Sequence, residues 1–233
     1  MKTLKFVNLI TGGGTTNLEI LKNERRGGKL YGITQTKAII SSSPTAKGIA
    51  RAIKLGFCEQ SIHIVNEKSK TFLDDILAIL AYYEADFFHQ VGFMPWMSKE
   101  VIAQYMGLNQ HLGPGGQGMF GERRVYAHMR FCQEVGRLMP IQVFCQLVHP
   151  IYDAGKIVYD EMVELDFKKT PEQNAETLLS IEHQVQISGR LAMYYGIDPE
   201  KLDFPINIAQ DSEEEALLEY IKKEAIKMYP RGK

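Results

Sequence analysis

The sequence contains little cysteine and no long apolar run. It has three cysteines among 233 residues, and none of them is in a Cys-x-x-Cys spacing. That count and spacing argue against a disulfide framework and a zinc site, and they indicate free thiols in a reducing compartment. No stretch approaches the roughly 20 apolar residues that a membrane span requires, and the N-terminal apolar run is too short for a signal peptide. We therefore expect a cytoplasmic protein that does not associate with a membrane.

The sequence also has almost no net charge. Its 27 Lys and Arg residues nearly balance its 28 Asp and Glu residues, which gives a formal charge of -1. This balance argues against a partner that is a nucleic acid or an anionic membrane. A hydrophobic fraction of 45% and a charged fraction of 24% are ordinary for a globular protein. Because no internal repeat, low-complexity segment or Pro/Ser-rich linker is present, we expect one compact unit.

Short apolar runs alternate with segments of helical periodicity along most of the chain. The predicted strands are Leu4–Ile10, Ala38–Ser42, Ser61–Val65, Ala85–Val91, Pro140–Val148 and Lys156–Leu165. The predicted helices begin near Leu18, Thr45, Ser69, Met119, Thr170 and either Asp211 or Ser212. This alternation predicts an α/β fold with a Rossmann-like, mostly parallel sheet and helices on both faces. The last two strands have a short connection, which predicts an antiparallel addition in the C-terminal half.

A glycine-rich turn follows the first predicted strand. Gly12, Gly13 and Gly14 lead into Thr15-Thr16-Asn17, where a helical pattern begins. A strand, a glycine turn and a helix bring free backbone N–H groups and the positive helix end together, which favours an anion such as phosphate. The hydroxyls of Thr15 and Thr16 are possible additional donors. A plain βα turn explains the glycines equally well, and an incomplete dinucleotide-binding loop is a further interpretation, disfavoured by the serines at 41–43 where an acid is expected.

The stretch from Leu108 to Gly121 combines polar side chains with five glycines. Asn109 and His111 are two residues apart, so in an extended segment their side chains project from the same face. An amide donor beside an imidazole is suited to holding a developing oxyanion and moving a proton. The glycines that follow allow backbone to approach a ligand closely. We therefore predict that this stretch lies in a catalytic site.

Taken in order, these motifs resemble those of the folate-dependent formyltransferases, most closely the branch that acts on glycinamide ribonucleotide. Ile10–Leu18 resembles the glycine-rich Ser/Thr-Asn-Leu loop of that family, and Asn109-Gln110-His111 resembles its Asn-Ile-His. Further matches to the family's motifs are Gly92-Phe93-Met94, Gly115–Gly121, Tyr152–Gly155 and Ile181-Glu182-His183. Each motif is short, but the ordered set is fairly specific.

The resemblance implies formyl transfer from the co-substrate 10-formyltetrahydrofolate to the amine of a phosphorylated acceptor, with glycinamide ribonucleotide in purine synthesis as the first candidate. It implies that Asn109 and His111 stabilise the oxyanion and that Asp153 assists proton transfer. It also implies that Asp153 orients His111 and raises its pKa, so that the ring is protonated or nearly so. No metal is implied.

The resemblance also implies the binding residues. The acceptor's phosphate would be held by Gly13, Gly14, Thr15, Thr16 and Asn17, and Glu182 would contact its amine or sugar. The residues expected in the pterin pocket are Met94, Trp96, Met97, Ile151 and Tyr152. We expect a single domain over residues 1–233, with an acceptor-binding half at 1–100, a folate-binding and catalytic half at 101–210 and a C-terminal helix at 211–233. A homodimer is possible.

The sequence departs from the family where the acceptor binds. Leu112 replaces the proline that follows the histidine in the family, and the segment from there to Gly115 is shorter. The sequence therefore does not decide the identity of the acceptor. An amino-sugar nucleotide is the alternative acceptor, and a non-catalytic relative that binds a phosphorylated ligand is the alternative to an enzyme.

Overall fold

One mixed sheet organises the fold. The structure is a computed structural model that describes residues 2–230, and within that range seven strands pair in the order β3-β2-β1-β4-β5-β6-β7. The strands are β1 Leu4–Ile10, β2 Thr34–Ser41, β3 Ile62–Ile64, β4 Phe87–Gln90, β5 Gly107–Leu112, β6 Ile141–Leu147 and β7 Ile157–Val163. The first five strands of the chain are mutually parallel, whereas β5–β6 and β6–β7 are antiparallel. The predicted mostly parallel sheet with an antiparallel C-terminal addition is therefore confirmed.

Helices cover both faces of this sheet. They are α1 Thr15–Asn23, α2 Lys47–Lys54, α3 Phe72–Tyr82, α4 Lys99–Gln104, α5 Glu122–Val135, α6 Pro171–Tyr195 and α7 Ser212–Met228. Alternate residues of β1 point to opposite faces. Val7 and Leu9 pack in a core with residues of α3 and α4, whereas Ile10 packs with residues of α1 and α2. Two hydrophobic layers thus hold the sheet between them, as the sequence predicted.

Capping chemistry sets the starts of the two C-terminal helices. The Thr170 hydroxyl accepts from the Gln173 backbone N–H, the Gln173 side chain accepts from the Thr170 backbone, and Pro171 occupies the first turn. The Asp211 carboxylate caps α7 by accepting from the N–H groups of residues 213 and 214. Both predicted starts are confirmed. Residues 231–233 of the predicted C-terminal helix lie outside the described residues.

The sequence did not predict α4 or the full strand β5. Each element is six residues long, and the middle of β5 is polar, so neither shows the apolar periodicity by which elements are recognised. β5 forms because it lies between two neighbours, pairing with β4 through Gln90 and with β6 through Cys145. Pairing with its neighbours, rather than its own composition, makes this segment a strand.

The strand order places a crevice at the carboxyl ends of β1 and β4. The chain builds β1, β2 and β3 outward in one direction and then returns to β4 on the other side of β1. The loops that leave β1 and β4 therefore diverge to opposite faces and open a crevice, which is where ligands bind in such sheets. The Thr11 backbone N–H donates to the Gly92 carbonyl at 3.0 Å, joining the two loops at this point.

No helix within the described residues combines the length and the apolar character that crossing a bilayer demands.

A fully buried arginine ties α6 to the middle of the sheet. Arg190 is 0% exposed and donates to Glu24 at 2.8 Å, to His89 Nδ1 at 3.1 Å and to the Asn8 side chain. Its guanidinium also stacks 4.1 Å from the centre of the Phe6 ring. Burial and the charge of Arg190 hold the pKa of His89 well below its ordinary value, so His89 accepts as a neutral ring. The guanidinium is thereby paired and hydrogen-bonded, as a buried charge must be.

Replacing this arginine should destabilise the fold strongly. Arg190→Met leaves the Glu24 carboxylate and the Asn8 amide without their buried partner, and we expect a loss of about 3–5 kcal/mol in the free energy of unfolding. Urea unfolding followed by circular dichroism measures it. The control is Arg26→Met at an exposed position, which should change the free energy by less than about 0.5 kcal/mol. Equal effects of the two substitutions would contradict a structural role for the buried network.

Candidate active site

A cavity of about 290 Å³ opens at the carboxyl ends of β4 and β5. Its walls come from residues 92–97, 109–111 and 116–121, with Gln90, Arg124, Gln146, Val148, His149, Tyr152 and Asp153. Leu108 and Leu112 of β5 are in the core beneath α5 and α6, so Asn109 and His111 project from the opposite face of the strand. Asn109 lies opposite Gln146 in the antiparallel pair with β6. The predicted shared face of Asn109 and His111 is present in the structure.

The Asp153 carboxylate contacts most of the polar groups around this cavity. Its Oδ1 lies 3.1 Å from His111 Nδ1, and it accepts from Asn109 Nδ2 at 3.2 Å and from Gln146 Nε2 at 3.4 Å. Its Oδ2 accepts from the Gly116 backbone N–H at 2.9 Å. The Asp153 side chain is 9% exposed. One buried carboxylate therefore orients an imidazole, two amides and the glycine loop at once.

Two local features bring Asp153 to this position. Its own backbone adopts a left-handed conformation with φ of 54°, which aspartate tolerates better than most residues. Gly115 allows the close approach, because a Cβ on that residue would lie 2.6 Å from the Asp153 Cβ. The turn and the glycine loop thus fit together only with a glycine at 115.

The contact with Asp153 favours one tautomer of His111, because Nδ1 lies 3.1 Å from the carboxylate Oδ1. With Nδ1–H donating to the carboxylate, Nε2 of the neutral ring is an acceptor. Burial lowers the pKa of His111 from 6.5 to about 4, and the charges of Arg124 and Lys222 act in the same direction. Asp153 raises the pKa, as expected, but by less than burial lowers it. The expectation of a protonated ring is therefore wrong, and His111 is neutral at pH 7.

Several buried polar atoms around the cavity have no protein partner. Within the described residues, His111 Nε2, Gln110 Oε1 and Gln146 Oε1 are buried and make no hydrogen bond. Buried polar atoms are normally satisfied by protein, water or ligand. All three residues line the cavity. Unpaired polar atoms on residues of the cavity wall are the expected sign of a site that binds a polar molecule.

The structure brings most of the predicted pterin-pocket residues to the cavity. Those that line it are Met94, Trp96, Met97 and Tyr152. The indole N–H of Trp96 donates to the Pro150 carbonyl at 2.8 Å, which holds the loop after β4 against the loop before Asp153. Ile151 is 66% exposed and is not among the lining residues. The cavity thus has a sulfur-rich and aromatic wall facing the polar groups around Asp153.

The predicted phosphate loop lies beside this cavity and does not line it. Gly14 adopts a left-handed conformation, with φ of 63°, and packs against Gly48 of α2 so closely that a Cβ would lie 2.5 Å from the Gly48 Cα. Gly12 and Gly13 are exposed and Thr15 is partly exposed, whereas Thr16 is buried. The loop is connected to the cavity wall because the Met94 backbone N–H donates to the Thr11 hydroxyl at 2.9 Å.

Asn17 points into the protein rather than toward solvent. It is 0% exposed, and its Oδ1 accepts from the side-chain amide of Asn8 at 2.7 Å. Asn8 in turn accepts from Arg190. The side chain of Asn17 therefore anchors the first turn of α1 to the buried arginine network.

Glu182 lies behind two residues of the cavity wall. Its carboxylate accepts from the Gln110 side-chain amide and lies 3.7 Å from Arg124 Nη2, and its side chain is 7% exposed. Gln110 and Arg124 line the cavity, but Glu182 does not. The sequence reasoning missed Gln110, Arg124 and Gln146. Alternation along β5 places Gln110 toward α6, whereas Gln146 could be found only from the β5–β6 register.

Within residues 2–230, no group of three or more His, Cys, Asp or Glu side chains could hold a metal ion.

Comparison with solved structures finds the same fold in bacterial formyltransferases. Phosphoribosylglycinamide formyltransferase from Anaplasma phagocytophilum matches with a TM-score of 0.65 and 19% identity, over 91% of this chain and 97% of that one. The Brucella melitensis enzyme of the same name matches with a TM-score of 0.66 and 24% identity, over 84% of this chain and 98% of that one. Glycinamide ribonucleotide transformylase 1 from Symbiobacterium toebii matches with a TM-score of 0.66 and 21% identity, over 88% of this chain and 95% of that one.

The chain has the formyltransferase fold. At these identities the comparison establishes the architecture, while no model of a protein family matches the sequence and no curated protein matches it. The matched region spans 95–98% of each of the three enzymes and 84–91% of this chain.

The protonation of His111 can be measured directly. We expect its imidazole to titrate near pH 4 in the folded protein and near pH 6.5 after unfolding in urea. Asp153→Asn removes the charge that raises the pKa, so the titration should move lower still. The measurement is the pH dependence of the His111 ¹³Cε1–¹H signal. A midpoint at or above 6.5 in the folded protein would contradict the dominance of burial.

The lowered pKa of His111 should also make the free energy of unfolding depend on pH. The folded-state pKa lies below the unfolded value, so the unfolded chain binds more protons between about pH 4 and 6.5. His111 therefore lowers stability as the pH falls through that window, by at most about 1.4 kcal/mol per pH unit. Comparing urea unfolding of the parent protein and of His111→Gln at pH 7 and pH 5 isolates this contribution, because the variant should lose less stability on acidification.

Proposed function

We propose that the protein transfers a formyl group from 10-formyltetrahydrofolate to the amine of a phosphorylated acceptor, with glycinamide ribonucleotide as the first candidate. The observation that carries the proposal is the single Asp153 carboxylate that contacts both Asn109 and His111 in the wall of a cavity. The formyltransferase fold supports the reaction class. A purine-synthesis role follows if glycinamide ribonucleotide is the acceptor.

Neutral His111 supplies the base that the reaction needs. When the amine nitrogen bonds to the formyl carbon it must lose a proton, and His111 Nε2 is an unpaired acceptor that can take it, directly or through water. Asp153 then stabilises the imidazolium through Nδ1–H. The ring afterwards donates the proton to the leaving nitrogen of the folate as the carbon–nitrogen bond breaks. The proton taken from the amine is thus the proton given to the leaving group.

Asn109 supplies a donor for the oxyanion. Its Nδ2 carries two N–H groups, and one of them is used on Asp153. The second is free to donate to the oxygen of the tetrahedral intermediate, and the His111 imidazolium adds a further donor once it forms. Donors fixed in advance in a site removed from water are worth more than the same groups in solution. Asp153 thereby orients both oxyanion donors.

We place the folate in the cavity beside these groups. Met94, Trp96, Met97 and Tyr152 offer the apolar and aromatic walls that a flat heterocycle requires. Gln146 Oε1 is a buried, unpaired acceptor on the same side as Asp153, which suits the amino and imino groups of a pterin ring. We assign Ile151 to the rim, because it is largely exposed.

The acceptor's phosphate is assigned to the loop at the start of α1. The exposed backbone of Gly13, the partly exposed Thr15 and the free N–H groups of the first turn provide neutral donors at a positive helix end. Arg51 of α2 adds a charge, since its Nη1 lies 2.5 Å from the Gly13 carbonyl. Thr15 is favoured over Thr16 as the hydroxyl donor because Thr16 is buried. Asn17 supports the loop from behind.

An amino-sugar nucleotide is the second candidate acceptor. Gln110 and Arg124 stand between Glu182 and the cavity, so the groups that meet the acceptor's amine and sugar include an amide and a guanidinium as well as a carboxylate. Leu112, where the sequence departs from the family, lies in the core next to this wall and does not line the cavity. A non-catalytic, phosphate-binding relative is the alternative to both.

Activity and its dependence on Asp153 test the reaction. With 10-formyltetrahydrofolate and glycinamide ribonucleotide we expect release of tetrahydrofolate, and a loss of at least about 100-fold in kcat for His111→Ala and for Asp153→Ala. The control is Asp74→Ala on the exposed face of α3, which should keep full activity. No turnover with either acceptor, in the presence of measurable ligand binding, would identify the non-catalytic alternative.

A substitution at Arg51 tests binding of the acceptor's phosphate separately from formyl transfer. Arg51→Met should raise KM for a phosphorylated acceptor about tenfold through loss of a charged contact and leave kcat nearly unchanged. Lys54→Met, one turn along α2 and exposed, is the matched control. Parallel assays with an amino-sugar nucleotide distinguish the two acceptors. A fall in kcat at constant KM would contradict the assignment of Arg51 to phosphate binding.

A further inference from the structure

A second cavity, of about 410 Å³, lies on the far side of the Asp153 turn. It is bounded by β6, β7 and the loop at 113–115 on one side, and by residues 205–210 and α7 on the other. Asp153 borders both cavities, but the predicted folate and phosphate residues do not line this one. Its volume is within the range of small-molecule sites. Nothing in the formyl-transfer proposal uses it.

The walls of this cavity are largely apolar. Phe144 of β6, Met162 of β7, Ile208 and Leu218 all line it. The amide of Gln142 also lines it but is satisfied at both ends, donating to Asp160 at 2.8 Å and accepting from the Ile206 backbone N–H at 2.9 Å. The Asn207 side chain is likewise satisfied, donating to Glu215 at 3.2 Å and accepting from the Ala209 N–H at 3.2 Å, and Gln210 is exposed. Besides Asp153, His128 and Lys222 are therefore the less exposed polar side chains that remain for a ligand.

His128 presents an unpaired acceptor. It is 1% exposed, and its Nε2 lies 2.9 Å from the Met139 carbonyl, which requires that Nε2 carry the proton. Burial lowers the pKa of His128, so the ring is neutral at pH 7 and Nδ1 is an acceptor. Within the described residues Nδ1 is buried and has no hydrogen-bond partner. A bound molecule that supplies an O–H or N–H group would satisfy it.

Lys222 presents a cation at the same cavity. Its side chain is 17% exposed, and its ion pair at 2.7 Å is with Glu219, which is 60% exposed. An ion pair with so exposed a carboxylate contributes little, so it competes weakly with a ligand. The Asp153 oxygens are already hydrogen-bonded toward the first cavity. An entering ligand therefore meets two charged side chains, and of these the Lys222 ammonium is the one that attracts a carboxylate.

We propose that this second cavity binds a small aromatic acid whose ring carries a hydroxyl or amino donor across from its carboxylate. The ring occupies the apolar walls around Phe144 and Met162, the carboxylate pairs with Lys222, and the donor reaches His128 Nδ1. The proposal does not require formyl transfer, because its contact residues are not those assigned to the folate or the acceptor. The two cavities nevertheless share Asp153, and the charge of Lys222 lowers the pKa of His111.

The test uses 4-hydroxybenzoate as the probe and methionine methyl groups as reporters. The full chain is labelled with ¹³C-methyl methionine, and the signals are assigned with single Met→Leu variants. Met139 and Met162 line the second cavity, whereas Met94, Met97 and Met119 line the first. We expect saturable shifts of Met139 and Met162 only. Shifts confined to the first group, or no saturable shift, would overturn the proposal.

Two matched comparisons test the assigned contacts. Benzoate lacks the donor and phenol lacks the carboxylate, and each should bind about tenfold more weakly than 4-hydroxybenzoate. Lys222→Met should weaken 4-hydroxybenzoate about tenfold, and Lys223→Met, at the exposed neighbouring position, should leave it unchanged. Equal affinities for the three probes, or equal effects of the two lysine substitutions, would show that these contacts do not select the ligand. Circular dichroism of both variants verifies folding.

Discussion

The candidate active site depends on one buried carboxylate. Asp153 meets His111, Asn109 and Gln146 through one oxygen and the Gly116 backbone through the other. A carboxylate offers acceptor positions only, so every group that contacts it must point a donor inward. That single requirement fixes the tautomer of His111 and the orientation of the Asn109 amide. It also holds the glycine loop against the turn that carries the aspartate.

The sheet provides the rigid support for this arrangement. Parallel strands end at one edge, and the return of the chain from β3 to β4 opens the crevice there. Arg190 then joins α6 to β1 and β4 through Asn8 and His89, and Asn8 extends the connection to Asn17 in the first turn of α1. The loop proposed for the acceptor's phosphate and the sheet beneath the cavity therefore belong to one hydrogen-bonded frame.

Much of the fold could be predicted because short sequence patterns within each element specify it. Apolar alternation located six strands, and capping residues located the starts of α6 and α7. The short elements α4 and β5 were not predicted, because six residues are too few to show a periodic apolar pattern and the middle of β5 is also polar. The predicted Asn109, His111 and Asp153 are brought together. Ile151 lies at the exposed rim, and Glu182 and the side chain of Asn17 lie behind the walls.

The sequence by itself determined which chemistry was present, namely an amide and an imidazole on one face, a glycine turn before a helix, and an aspartate in a turn. Only the tertiary structure decided how those groups behave. Burial outweighs Asp153 in setting the pKa of His111, so a ring expected to be charged is neutral. Gln146 enters the site only through the antiparallel register, and Lys222 only through the packing of α7. Spacing along a chain fixes direction within one element, whereas burial and register arise only when distant elements pack together.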